Sequence, residues 1–219
     1  METMGRRERK KAQTRQALAD AALRLFGEHG YDRVTVAQIA DEADVSIATL
    51  FKHVPDGKEA LIFDDGTERR EGLVAAVRDR AAGTSMLAAL REFMAGRGPF
   101  ATNLPPELRR KRDLILQTPA LRNYQRKLWV ASETALAEAI ASDSGRDVRD
   151  PAVRALARYV LEIPDLVGAG PDPRNSLDTI FALLEKGWVA TVRQHAATRP
   201  ARRTGKAGAG NGVAADVTQ

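Results

Sequence analysis

In the stretch TVAQIADEADVSIATLFKHV, residues 35–54, a hydroxyl stands wherever a helix needs one at its start. Thr35 precedes the apolar run Val36, Ile39, Ala40, Ala43, and Gln38 follows three residues later, so each side chain can accept from the other's backbone N–H in a capping box. Ser46 can do the same for the next turn, after which Ile47, Leu50, Phe51 and Val54 resume a helical period that runs through His53. The chemistry on offer is hydrogen bonding rather than bond making: two short helices sharing a three-residue corner. Such a corner can hold its second helix proud of the surface, where it fits a DNA major groove about 12 Å wide. A purely structural helical hairpin has the same pattern in one dimension.

The elements that would position this corner are helical throughout. Leu18, Ala22, Leu25 and Phe26 form an apolar stripe on a helix predicted over residues 10–28, and Gly30 supplies the exit that stops it. Tyr31 and Val34 should pack beneath the corner, so that three helices enclose one small core. Asp56, with Glu59 three residues on, opens a further helix predicted to reach residue 80, weakened by Gly66 and Gly72 and bent over residues 64–67. Beyond Gly83 five segments follow, at 85–95, 106–116, 119–141, 151–166 and 174–196, three of them opening on proline; Pro164 should end or kink the fourth. The expected architecture is all-α: a basic arm at 1–9, a helix-turn-helix domain at 10–57, a connecting helix at 58–80, a larger helical domain at 81–197, and a disordered tail rich in Ala and Gly at 198–219.

Composition excludes several classes. The 219 residues contain no cysteine, hence no disulfide, thiolate nucleophile or cysteine zinc site. No apolar run approaches the roughly 18 residues of a membrane span, so a cytoplasmic protein without a membrane partner is expected. The net charge of +5 is unevenly placed: Arg6, Arg7, Arg9, Lys10, Lys11 and Arg15 crowd the first fifteen residues against Glu2 and Glu8. A basic arm of that kind suits DNA phosphates, although a solubilising tail has the same charge. His29 and His195 lack a second histidine at ligand spacing, so no metal site is expected. Asp64, Asp65, Glu68 and Glu71, interleaved with Arg69 and Arg70, read as a solvated, ion-paired face rather than an acid–base pair. Neither enzyme activity nor a cofactor is expected.

With these residues laid out, ALRLFGEHGYDRVTVAQIADEADVSIATLFKHV followed by KEAL resembles the DNA-binding domain of the TetR family of transcriptional regulators. The resemblance implies that Ser46, Ile47, Ala48 and Thr49 form the exposed start of a recognition helix, with Thr49 able to bond a base and the methyls of Ile47 and Ala48 able to meet thymine. Lys52, His53 and Thr35 would then touch phosphates. Two departures stand out. Phe51 stands where the family usually has a phosphate-binding tyrosine, so it is a candidate for the DNA-binding face without that hydroxyl contact, or serves only as core. Gly57 adds one residue before Lys58, so that this lysine either reaches the phosphate contacted by the family's lysine or caps or misses it.

The rest of the chain resembles the family only in arrangement. That implies a homodimeric repressor on a palindromic operator in double-stranded DNA, released by a small apolar or amphipathic effector. Phe93, Phe100, Tyr124 and Trp129 are the candidates for an effector cavity, and Leu156, Tyr159, Val160, Ile180, Leu184 and Trp188 for the dimer interface. Two other readings stay open: a DNA-binding regulator without small-molecule control, and a helical ligand-binding or scaffold protein that never meets DNA.

Overall fold

In a computed structural model, which describes residues 5–168 and 170–198, every regular element is a helix. The α-helices are α1 (Arg6–His29), α2 (Val36–Glu42), α3 (Ile47–His53), α4 (Thr67–Arg78), α5 (Met86–Ala95), α6 (Pro106–Gln117), α7 (Pro119–Val130), α8 (Glu133–Ser144), α9 (Pro151–Val167) and α10 (Pro173–Thr198). Two apolar cores divide them. The first gathers Leu18 and Phe26 of α1, Ile39 of α2, Leu50 of α3 and Val54, together with Leu61 and Ile62. The second joins α4, α5, α8, α9 and α10 through Leu73, Leu90, Ile140, Val160 and Phe181. Helix α7 belongs to both, since Leu121 is buried in the first core and Trp129 in the second, while α6 joins the first through Ile115. Helix α7 ties the head to the body.

Helix α1 departs from expectation at its start. It begins at Arg6, so Arg6, Arg7 and Arg9 are not an arm ahead of the helix but exposed residues of its first turns. Gln, Ala, Lys and Arg are strong helix formers, and no glycine or proline interrupts the helix between Gly5 and Gly27. Arg15 also leaves the arm for an internal role, described below. At the other end Gly30, at φ 81° and ψ 144°, takes a backbone that favours glycine and turns the chain toward the buried Tyr31 and Val34.

The segment 58–80 is not one connecting helix. Lys58–Leu61 is a single 3₁₀ turn, and α4 starts only at Thr67. Between them the carboxylates of Asp64 and Asp65 accept from the N–H groups of Gly66 and Thr67, at 2.8 and 2.9 Å, and Gly66 sits at φ 74°. Local side-chain bonds have replaced helical ones. The segment 119–141 likewise divides at Ala131 and Ser132 into α7 and α8, with no glycine or proline to mark the break. Pro164 does not end α9, which continues to Val167. One lost hydrogen bond near a helix end costs less than exposing Ile163 and Val167, both buried.

Two of the expected interface residues are core. Leu156 is 4% exposed and Val160 fully buried, because α9 turns that stripe inward onto α8 and α10. The same helix presents Tyr159 and Leu166 outward on the opposite face. Ile180, Leu184 and Trp188 are half-buried against the second core. The tail expected from residue 198 lies outside the described residues beyond Thr198, as do residues 1–4.

Candidate nucleic-acid interface

Both helices of the corner open on the caps that their sequences offer. At α2 the Gln38 N–H donates to Thr35 Oγ1 at 3.2 Å and the Thr35 N–H donates to Gln38 Oε1 at 2.8 Å, so two otherwise unpaired donors are satisfied reciprocally. At α3 the Thr49 N–H donates to Ser46 Oγ at 3.1 Å, and the two hydroxyls lie 2.9 Å apart. The corner spans residues 43–46, one more than the sequence suggested. Asp44 makes the reversal at φ 52°, a conformation that aspartate tolerates better than most residues.

Helix α3 has only seven residues, and its two faces differ sharply. Leu50 and Val54, four apart, are buried under the corner. Ile47 and Phe51 point the other way and are 46% and 48% exposed. Phe51 is therefore not core: the inward stripe of so short a helix is filled by Leu50 and Val54, and Phe51 lies a third of a turn away. Ser46, Ala48 and Lys52 share its exposure, while Thr49 and His53 are partly covered. Thr35 is exposed at the start of α2. The outward surface thus combines apolar groups, one hydroxyl pair and cations.

Arg15 holds the C-terminal end of this helix. Its Nη1 donates to the carbonyl of His53 at 3.2 Å, and its Nη2 to the carbonyls of Phe63 at 3.1 Å and Ala60 at 3.4 Å. A guanidinium bonding the last carbonyl of α3 satisfies an open acceptor and complements the helix dipole. Lys11 lies one turn before Arg15 on α1 and reaches the same region. Burial first, then the charges of Lys11, Lys52 and Arg15, hold the His53 imidazole below its ordinary value. Sequence reasoning counted Lys11 and Arg15 in a basic arm and missed both as parts of the site. Their four-residue spacing on a helix, with Leu18 fixing the buried side, was the available signal.

Lys58 belongs elsewhere. Its Nζ donates to the carbonyls of Tyr31 and Val34 at 2.7 and 2.8 Å and sits 4.0 Å from the Tyr31 ring centre. Gly57, at φ 101°, turns the chain so that the ammonium caps the connection between α1 and α2 from inside rather than facing outward.

A cavity of about 310 Å³ opens at the joint between head and body. Its walls come from Ile62 and Phe63 beneath the corner, from Arg69 at the start of α4, and from α6 and α7. Of the four aromatic candidates only Trp129 lines it. Phe100 is fully buried in the second core. Phe93 lies flat against Gly72, where an added Cβ would come within 2.4 Å of its ring, and is covered by Arg97. Tyr124 stacks on Phe63 with ring centres 5.5 Å apart, in the first core. Among the described residues no group of three or more potential metal ligands occurs, and no helix is long and apolar enough to cross a membrane.

Comparison with known proteins covers the same two regions. Residues 18–64 match the bacterial regulatory proteins of the tetR family, and residues 84–163 match the MftR C-terminal domain. A Mycobacterium tuberculosis protein provisionally named the mycofactocin biosynthesis transcriptional regulator MftR is 26% identical over 142 residues, 65% of this chain and 71% of that protein. The HTH-type transcriptional repressor Rv1474c of the same organism is 37% identical, across 37% of this chain and 45% of its own length. The HTH-type transcriptional regulator TcmR of Streptomyces glaucescens is also 37% identical, across 39% of this chain and 38% of its own. The last two matches therefore span less than half of each relative. Among solved structures, Salmonella enterica GusR overlaps 82% of this chain and 95% of its own at a TM-score of 0.49 and 20% identity, a likeness too loose to bear on function. Since the matched stretches take in both the capped corner and the helical body behind it, the chain belongs to the TetR family and is a DNA-binding transcriptional regulator.

Proposed function

We propose that the protein is a homodimeric repressor that inserts α3 of each copy into successive major grooves of a palindromic operator and is released by a small amphipathic effector. The observation that carries this reading is the outward face of α3. An exposed Ile47 and Phe51 on a capped, well-braced helix are costly in water and suited to thymine methyl groups, and Thr49 stands beside them as a base reader. Lys52, His53 and Lys11 flank that face as phosphate contacts, and the exposed start of α2 at Thr35 adds another. Lys58 has no part in it.

Dimerisation is assigned to the outer surface of α9 and α10. Tyr159 and Leu166, seven residues apart and so on one face of α9, are 58% and 70% exposed; Leu183 and Val189 of α10 are 70% and 40% exposed. Two identical heads related by a two-fold axis require identical half-sites whose centres lie roughly 34 to 36 Å apart or a multiple of that. The joint cavity supplies the lever. A ligand there touches Ile62 and Phe63 of the head and Trp129 of the body, and can shift the equilibrium only by preferring a head position that does not fit DNA, a coupling of typically about 1 to 3 kcal/mol. The test is a footprint of the purified protein on DNA flanking its own gene, with unrelated DNA as competitor. Two protected half-sites one helical turn or a multiple apart are expected. Protection of a single asymmetric site, or a protein that stays monomeric at micromolar concentration, would contradict the dimeric reading.

His53 adds a pH dependence. Its folded-state value lies below the ordinary 6.5 or so, so the unfolded chain takes up the proton first as pH falls. The imidazole therefore leaves stability unchanged above about pH 6.5 and lowers it below. Phosphates nearby reverse that bias, so DNA binding takes up a proton and tightens between pH 7.5 and 5.5. In His53→Gln that slope is expected to disappear from binding titrations run across this range; a slope retained in full would place the proton on another group.

A further inference from the structure

The wall of the joint cavity carries four cations, Arg69, Arg97, Lys111 and Arg112, against two carboxylates, Asp64 and Glu68. Two of the cations are satisfied. Arg97 donates to Glu68 at 3.0 Å, and Arg112 donates to Asp113 at 2.9 Å and to the Ala101 carbonyl at 3.3 Å. The remaining two share Asp64. Arg69 comes no nearer to it than 4.0 Å, has a side chain only 13% exposed, and leaves Nε and Nη2 without a hydrogen-bond partner among the described residues. Burial pushes the Lys111 ammonium below its ordinary value, and Asp64 is the neighbour that opposes this. One oxygen of Asp64 is already engaged by the Gly66 N–H.

A guanidinium withdrawn from water without a carboxylate or carbonyl on two of its nitrogens is destabilising, and the Trp129 ring, 5.3 Å away, offsets only part of that cost. Arg69 and Lys111, both partly withdrawn from water, have Asp64 and, for Arg69, Asp65 as opposing charges, none closer to Arg69 than the 4.0 Å of Asp64, and form a site with donors to spare. Around them the wall is apolar, with Leu104, Leu108, Ile115, Leu116 and Trp129.

We propose that the effector is an apolar compound bearing one carboxylate, its acid group between Arg69 and Lys111 and its body along Leu108, Ile115 and Trp129. This rests on the effector reading above and adds the charge to it. A carboxylate accepts from a guanidinium in the planar, two-bond manner that no neutral group reproduces as well, and it supplies the acceptor that Nε and Nη2 of Arg69 lack among the described residues. Asp64 and Arg69 flank the break between the head and α4, so the acid would bind at the point where the two parts can move.

The test uses the full-length protein and three matched pairs: phenylacetate, naphthalene-1-acetate and decanoate, each against its primary amide. Acid and amide share a shape and differ in charge. In calorimetric titrations at least one acid is expected to bind tenfold or more tighter than its amide. In Arg69→Met and in Lys111→Met that preference should fall to threefold or less. Both variants, free of ligand, should melt no lower than the wild type, since an undercompensated buried cation has been removed. Amides that bind as tightly as their acids, or an acid preference kept intact in both variants, would overturn the carboxylate assignment and leave the cavity as an effector site. No binding by any of the six compounds would overturn both.

Discussion

Replacing Ala48 by aspartate is expected to remove specific operator binding, by about 100-fold or more, while leaving the folded protein as stable as before or slightly more so. Ala48 is exposed in the first turn of α3, one residue after the helix opens at Ile47. A carboxylate there faces the groove and its phosphates, so it loses whatever base contact the methyl made and adds repulsion, together about 3 kcal/mol. In the free protein the same carboxylate meets the positive end of α3, which favours it by about 0.3 to 1 kcal/mol. Binding titrations and thermal melts of the one variant separate the two effects. Unaltered affinity with an unaltered melt would place the DNA-reading surface away from α3; a large drop in melting temperature would show that Ala48 is part of the core.

Replacing Arg15 by methionine is expected to destabilise the head by about 2 to 3 kcal/mol, through the loss of hydrogen bonds from a charged donor to three carbonyls. For a chain of this size that is a fall in melting temperature of roughly 5 to 10 °C. The carbonyls of His53, Ala60 and Phe63 lie at the end of α3 and along the segment leading to the joint cavity, so the variant loosens the reading helix and its connection to the body together. Operator affinity should fall as well, but the salt dependence of binding should be unchanged, since Arg15 is turned inward and neutralises no phosphate. A steep loss of salt dependence with an unchanged melt would return Arg15 to the DNA surface.

How much of this was legible in the sequence depended on the range of the interactions involved. The caps at Thr35, Gln38 and Ser46 act within three residues, and the structure contains them as the spacing predicts. The buried stripe of α1 and the proline-led starts of α6, α7 and α9 are equally local. What the sequence could not show was which way a residue faces when several partners compete for it. Phe51, lacking the hydroxyl of the family's tyrosine, could be read as DNA-facing or as core, and it is two aliphatic neighbours that fill the inward side of a seven-residue helix. Leu156 and Val160 were expected at an interface because the resemblance implies dimerisation through the last two helices, yet α8 and α10 cover that stripe within one chain. Lys58 and Arg15 carry charge and were candidates for phosphate contacts, Lys58 with the extra Gly57 set against it, and each ends on backbone carbonyls 24 to 48 residues away in sequence. Those carbonyls are invisible to any pattern of side chains. The joint cavity was hidden for the same reason: its wall draws on the 62–64 segment, α4, α6 and α7 at once, and of the four aromatic candidates only Trp129 lines it.

The most direct measurement is selection of binding sites by the purified protein from a pool of random double-stranded DNA, with Ala48→Asp carried through the same rounds. Enrichment of a palindrome whose half-site centres lie 10 to 10.5 base pairs apart, or a multiple of that, with no enrichment by the variant, is the result expected of paired α3 helices in successive major grooves. Wild type and variant enriching the same sequences, or neither enriching any, would contradict the claim that α3 reads DNA.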